Sequence, residues 1–368
     1  MKLKDIIIKE IKGFWGEETK LNGTPIIKTN NLNYDGTIDF SDICVRDIDK
    51  SKIKDNYLKQ GDLLIEKSGG TKYHSVGYVT YYDNEEEKYV CNNFILGLRI
   101  NEKIARPKFI FYILKYKYEK GDFNNCYKQT TGIQNLKKDK YLDTEINIPD
   151  FETQDKIIKI LDIISKNRML CFEKLKNFDL LVKSQFIEMF GDRFNREKIK
   201  LSEISNAIIG LTYKPDNISD QGTIVLRSGN IQNNELQIKT DVVRVDNIKI
   251  PDNKYIQEND ILMCSRNGSA RLVGKSCLIN NIQEKMSFGA YMTVIRTPYP
   301  YFLQSFFSSE YFKNQLTSVA TTSVNQITTG MLNNYLVIKP TSEEENQFAD
   351  FVKHIDKLKY NDAMMEVA

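Results

Sequence analysis

Tyr57-Leu58-Lys59-Gln60-Gly61-Asp62-Leu63-Leu64-Ile65-Glu66-Lys67-Ser68-Gly69-Gly70 and Tyr255-Ile256-Gln257-Glu258-Asn259-Asp260-Ile261-Leu262-Met263-Cys264-Ser265-Arg266-Asn267-Gly268 are one segment written twice, 198 positions apart. Working outward, Gly23 to Leu32 lines up with Gly222 to Ile231 at offset 199, and Val76-Gly77 with Val273-Gly274 at offset 197. Leu98-Arg99 matches Ile295-Arg296, also at 197. Pro107, Phe109, Ile110, Ile113 and Leu114 match Pro300, Phe302, Leu303, Phe306 and Phe307 at 193. Thr130-Thr131 matches Thr321-Thr322, and Ile146–Pro149 matches Val337–Pro340, at 191. Chance matches scatter in offset. Collinear copies separated by small deletions drift in one direction, as these do, so the chain is an internal duplication.

Each copy reads the same way. Short strands bounded by Gly, Asn and Asp come first: Ile26–Lys28, Leu63–Glu66, Tyr78–Tyr82 and Phe94–Ile100 in the first copy. A helix opens at Pro107, a residue suited to the first helical position, and runs towards Gly121. A polar loop and a last strand lead to Pro149. The fold class is α+β, with two tandem domains, 1–149 and 192–340, each followed by a helix.

From Phe151 to Phe190 the chain has neither Pro nor Gly. Ile157, Ile160, Leu161, Ile164, Cys171, Leu175, Phe178, Leu181, Val182, Phe186 and Met189 recur at three-four spacing, the stripe of a long amphipathic helix over 150–191. Asp150 or Thr153 can cap its start, and Gly191 stands where a C-cap glycine belongs. The second copy opens its helix, 341–368, with Ser342-Glu343-Glu344-Glu345, read as a capping box. There Phe348, Phe351, Val352 and Ile355 repeat Ile157, Ile160, Leu161 and Ile164. A single such helix is ordinarily a packing helix of one domain. Two equivalent ones can pair antiparallel as a coiled coil and set the separation of the domains.

Composition narrows the function. With 41% hydrophobic and 11% aromatic residues in 368, the chain has enough apolar material for two cores. No run reaches the roughly 18 apolar residues of a membrane span, and the start of the chain does not read as a signal peptide, so a soluble, cytoplasmic protein is expected. The six cysteines are scattered and accompany only two histidines, His74 and His354, which supplies neither a zinc ligand set nor a disulfide framework. A net charge of +3, from 52 Lys+Arg against 49 Asp+Glu, leaves any nucleic-acid-binding face to local segregation of charge.

Three polar loops recur in both copies with chemistry suited to base edges and phosphates. The first holds Lys28, Asn30 and Asn31, mirrored by Arg227, Ser228 and Asn230. The second holds Lys67, Ser68, Thr71, Lys72, Tyr73 and His74, mirrored by Ser265, Arg266, Asn267, Ser269 and Arg271. The third holds Gln129, Thr130, Thr131, Gln134 and Asn135, mirrored by Thr321, Thr322, Ser323, Asn325 and Gln326. One such loop alone is ordinarily a turn; three that keep basic or amide residues in both copies point to DNA. Their detailed differences suit two different half-sites.

Catalytic motifs fall away on inspection. Gly268 to Ser276 approaches a P-loop but places five residues between its glycines where the motif has four, and Gly70 to Tyr78 lacks the lysine. His74 has no counterpart in the second copy. Gly13-Phe14-Trp15-Gly16 reads as a partly buried core tryptophan, with a stacking platform as the alternative. No catalytic residue, no metal site and no cofactor bound by this chain is expected.

The arrangement of Gly61–Leu64 (degenerate at Asn259–Leu262), the Ile148-Pro149 junction, Lys183–Gly191 and Asn346–Val352 resembles the specificity subunits of type I restriction–modification systems, over nearly the whole chain. The resemblance implies two target-recognition domains, each reading half of a split asymmetric DNA site, with the helices as a ruler. It also implies two adenine-N6 methyltransferase subunits along the helices, which use S-adenosylmethionine, and a separate restriction–translocase subunit. The chain departs from that pattern in a distal helix shorter than the family usually carries. A non-catalytic coiled-coil scaffold for other proteins is the alternative reading.

Overall fold

The computed structural model describes residues 1–19, 23–71, 74–130, 133–191, 196–238, 242–319 and 326–367. It divides into two compact units, Met1–Arg168 and Met169–Ala368.

In the first unit, strands β1 (Ile7–Ile11), β2 (Leu63–Glu66), β3 (Val79–Tyr81) and β4 (Ile95–Ile100) form an antiparallel sheet in the order β1-β4-β2-β3. β2 is buried on both faces, so alternate residues enter different cores. Leu63 and Ile65 pack with helix α1 (Pro107–Glu119) through Phe109, Ile110 and Leu114, while Leu64 joins Ile27, Tyr78, Tyr82 and Cys91 on the other side. A second sheet orders Glu17–Glu18, Cys44–Asp47, Thr24–Ile27 and Val90–Cys91, and its last pair is parallel, with Ile26 opposite Val90.

The second unit repeats this topology. β5 (Asn206–Ile209), β6 (Ile261–Cys264), β7 (Ser276–Leu278) and β8 (Met292–Arg296) take the order β5-β8-β6-β7, all antiparallel. The companion sheet orders Ile218–Ser219, Arg244–Val245, Thr223–Leu226 and Met286–Phe288, again with a parallel last pair, Ile224 opposite Met286. Ile261 and Met263 face the core that includes helix α3 (Pro300–Ser308), and Leu262 and Cys264 face the opposite core. The duplication read from the drifting offsets is a duplication of sheet order and strand direction.

The Asp of the duplicated segment is a tie rather than a reader. Asp62 and Asp260, both buried, accept bidentate hydrogen bonds from Arg99 (2.8 and 2.8 Å) and Arg296 (2.9 and 3.1 Å) on the neighbouring strand. Each also accepts a backbone N–H from the turn before it, Lys59 or Gln257, at 2.7 Å. These bonds match the carboxylate's lone pairs to the planar fork of arginine.

The long helix α2 (Phe151–Phe186) ends in a π-helical turn, Ile187–Gly191. Asp150 is its cap, accepting from Thr153 N at 2.9 Å; Gly191 belongs to the π turn and is not a left-handed cap. In the first unit Ile157 and Ile158 pack on the core, and Asp162 accepts a bond from the Tyr112 hydroxyl at 2.6 Å. In the second unit α4 (Ser342–Val367) buries Phe348 against Phe186 and Phe190, and Lys359 lies 2.7 Å from Asp179. Residues ascending in α4 thus meet residues descending in α2. Ile160, Ile164 and Leu181 of the expected stripe are exposed instead.

The capping box of α4 lies one residue earlier than the sequence suggested. Thr341 and Glu344 exchange the reciprocal bonds, and Arg196 and Thr341 hold the Glu344 carboxyl down to about 2. Glu345 turns inward, where it accepts the N–H groups of Tyr301 (2.9 Å) and Phe302 (3.0 Å) at the start of α3. Gln154 does the same for α1, accepting Arg106 N at 2.8 Å and donating to Pro149 O at 2.8 Å.

Candidate nucleic-acid interface

Within each unit the polar loops are tied to one another. In the first, Ser68-Gly69 pairs as a strand with Gln134-Asn135, and the Ser68 hydroxyl donates to Asn135 Oδ1 at 2.8 Å. In the second, Arg266 bridges to Gln326, whose Oε1 accepts the Arg266 Nε–H at 3.0 Å. The first loop joins them there through Asn267 Nδ2, which donates to Ser228 Oγ at 3.2 Å. The second and third loops therefore form one surface in each unit.

Exposure then sorts the expected residues. Asn30, Thr71, His74, Asn135, Arg266 and Arg271 are exposed; Lys28, Lys67, Ser68, Arg227, Ser228, Asn267, Ser269 and Gln326 are partly so. Thr71 N donates to His74 O at 2.7 Å. The side chains of Gln129 and Thr130, and residues Lys72, Tyr73, Thr131, Thr321, Thr322, Ser323 and Asn325, lie outside the described residues.

Four expected readers are internal supports. Asn31, 3% exposed, accepts Lys28 N at 2.9 Å and donates to Asp39 O and Asp42 O. Asn230, 1% exposed, accepts Arg227 N at 2.8 Å and donates to Gln237 O. Gln134 is buried with its Oε1 accepting Val76 N, and Ser265 is buried with its hydroxyl donating to Tyr291 O. Asn31 and Asn230, buried with both amide ends bonded to backbone, have little left to offer a base. The four supports shape the loops that Lys28, Ser68, Arg227 and Arg266 occupy.

The P-loop-like segment is likewise accounted for. Leu272 N, Val273 N and Gly274 N donate to Ser269 O, Ala270 O and Cys264 O, so these amides do not form a phosphate nest. One contributor went unnoticed in the sequence: Tyr34 stacks on His74 with ring centroids 3.8 Å apart. Burial, with Glu66 nearby, pushes its hydroxyl up to about 12, so it stays a neutral donor. A lone tyrosine three residues after an Asn-Asn pair carries no signal of that contact. Trp15 is also not a core residue; it is 66% exposed.

Basic and amide side chains on loops braced by buried amides are the equipment of a surface that binds a phosphodiester backbone and bases. Residues 1–177 match the model of the type I restriction modification DNA specificity domain. The first 177 residues are thus similar to the DNA specificity domain of type I restriction–modification systems. Among relatives, the StySPI type I specificity subunit of Salmonella potsdam is 28% identical over 135 residues, covering 34% of this chain and 29% of that protein. The putative MjaX specificity subunit of Methanocaldococcus jannaschii is 26% identical over 161 residues, covering 43% and 37%. These matches span about a third of the length of the relatives. The crystal structure of a type I S subunit from M. genitalium is similar in fold at 13% identity, with a TM-score of 0.57 over 100% of this chain and 91% of that one. The structural likeness is one of fold, and the sequence match lies in the first repeat and the start of α2. Among the described residues, no helix is long and apolar enough to cross a membrane.

Proposed function

We propose that the chain is the DNA-recognition subunit of a type I restriction–modification complex, reading a bipartite asymmetric site with one repeat on each half. The observation that carries this reading is the pair of loop surfaces, Ser68 with Asn135 and Arg266 with Gln326, built on the same buried ties but bearing different side chains. Equivalent scaffolds present the loops alike; unlike loops select different bases.

The two target-recognition domains are joined by α2, and the pairing of α2 with α4 as an antiparallel coiled coil makes the spacing of the half-sites a property of helix length. Ile160, Ile163 and Ile164, exposed on α2, offer an apolar face for two adenine-N6 methyltransferase subunits, which use S-adenosylmethionine and supply the chemistry; a restriction–translocase subunit joins them. The chain itself carries no catalytic role.

Co-expression with the methyltransferase subunit, followed by genome-wide mapping of N6-methyladenine, tests this. A split motif is expected, and exchange of residues 1–149 for another such domain is expected to change one half only. Both halves changing, or neither, overturns the assignment. Salt-resistant binding without sequence preference would instead identify a protein scaffold.

A further inference from the structure

Phe94 and Tyr291 occupy the second position of the same two-residue turn, just before β4 and β8. Both rings are held out in solvent, Phe94 at 42% and Tyr291 at 60% exposed. Turn tips ordinarily carry small polar residues, so an exposed ring at the same tip in both repeats calls for a partner. An aromatic that keeps about half of its surface in solvent contributes less to folding than a core ring and is typical of a contact residue.

The backbone fuses each aromatic to the candidate interface. Lys67 N and Ser68 N both donate to Phe94 O, at 2.8 and 3.2 Å. Ser265 N and Arg266 N both donate to Tyr291 O, at 3.0 and 3.1 Å. The bifurcated acceptor is thus duplicated along with the loop it holds. A cation attends each site: Arg266 lies 5.6 Å from the centroid of the Tyr291 ring, and Arg46 lies 5.2 Å from that of Trp15, which meets Phe94 edge-on at 6.3 Å. In the first unit Trp15, Phe94 and Arg46 line a cleft of about 180 Å³ whose other wall is Lys28, Thr29 and Asn30.

We infer that Phe94 and Tyr291 are DNA-contact residues, each packing its ring against base edges or deoxyribose of the half-site that its own repeat reads. The inference rests on the function proposed above. The chemistry of the surroundings selects this partner: guanidinium and ammonium groups answer phosphates, and a ring beside them supplies the apolar contact that thymine methyls and sugar faces accept. Trp15 and Arg46 extend the first contact into a cleft. The equivalent stretch of the second unit, Gly210-Leu211-Thr212, offers no such ring, so the two contacts differ in extent.

A ring contact leaves a distinct signature in solution. It releases no counterions, so its removal lowers affinity without changing the dependence on salt. The test uses the purified full chain and fluorescent duplexes carrying the motif mapped by methylation, or that motif with either half scrambled. Phe94→Ala is expected to weaken binding about ten-fold, an effect that disappears on the duplex whose first half is scrambled. Tyr291→Ala is expected to do the same for the second half. The slope of affinity against salt is expected to stay at the wild-type value in both, and Phe94→Leu and Tyr291→Phe to recover much of the loss. Unchanged thermal unfolding, as exposure predicts, assigns the loss to contact, and a variant that unfolds early passes the question to its conservative replacement. Wild-type preference for the mapped motif with unaffected alanine variants overturns this inference alone. A wild-type chain with no preference overturns both it and the function on which it rests.

Discussion

Asp62 with Arg99 and Asp260 with Arg296 join the same pair of strands in the two units, whereas Lys28-Thr29-Asn30 and Arg227-Ser228-Gly229, at one equivalent turn, share no residue. The difference follows from burial. An aspartate at 1 or 2% exposure that satisfies a guanidinium and a backbone amide leaves little latitude for change. A loop side chain in water can be exchanged at almost no cost to folding, so that is where two copies can diverge in what they recognise.

Breaking the shared tie is the severest way to test this division. Asp62→Ala strands the Arg99 guanidinium without its carboxylate and frees the amide of Lys59; losing one partner of a buried pair costs about 3–5 kcal/mol. Asp260→Ala is expected to cost a similar amount. Urea denaturation measures both, and a loss under about 1 kcal/mol in either would show that the strands are held by packing alone.

A smaller effect separates the units where they are otherwise alike. Gln154 and Glu345 cap the equivalent helices, but only the second can ionise, and burial raises it from the usual 4.5 to about 7. The buried acid is therefore favoured protonated: its stabilisation is complete below about pH 4.5 and is lost as the pH rises through about 7. Lys353 works against the shift, and Glu258, Asp260 and Arg296 line the same cleft. Glu345→Gln is expected to flatten this pH dependence, and Gln154→Glu to introduce one in the first unit while losing the bond to Pro149 O. The effect is on the order of 2 kcal/mol after solvent screening, read from unfolding midpoints between pH 5 and 8. Equal slopes in wild type and Glu345→Gln would remove Glu345 as the titrating group.

The comparison also explains what could be read from the sequence. Strands such as Leu63–Glu66 and helices opening at Pro107 and Pro300 were legible because burial periodicity and proline geometry are local. The duplication was legible because the buried ties recur in order. Asn31 and Gln134 were taken for readers because an amide looks the same in a sequence whether it faces water or the interior; only the carbonyls of Asp39 and Asp42 and the amide of Val76 decide it. Glu345 was placed in its own helix's cap for the same reason, since its partners lie 43 and 44 residues away. Trp15 defeated its composition-based reading because a large apolar ring ordinarily belongs in a core.

The smallest expected effect separates a support from a reader at one loop. Asn31→Ala removes an acceptor for Lys28 N and two donors to Asp39 O and Asp42 O, leaving buried backbone groups unpaired. It is expected to cost about 1–3 kcal/mol of stability. Asn230→Ala is expected to behave alike, because it holds Arg227 N and Gln237 O in the same manner. Neither changes a charge, so once folded each variant is expected to keep the wild-type dependence of DNA affinity on salt. Lys28→Ala and Arg227→Ala are expected to do the reverse: the salt slope falls by about one in each, and Lys28→Ala keeps its stability within about 0.5 kcal/mol. Thermal unfolding and salt-dependent binding of the four variants separate the roles. If Asn31→Ala altered the preferred base while leaving stability untouched, the buried amide would be a reader after all, and the line drawn between shared ties and divergent loops would fall at that residue.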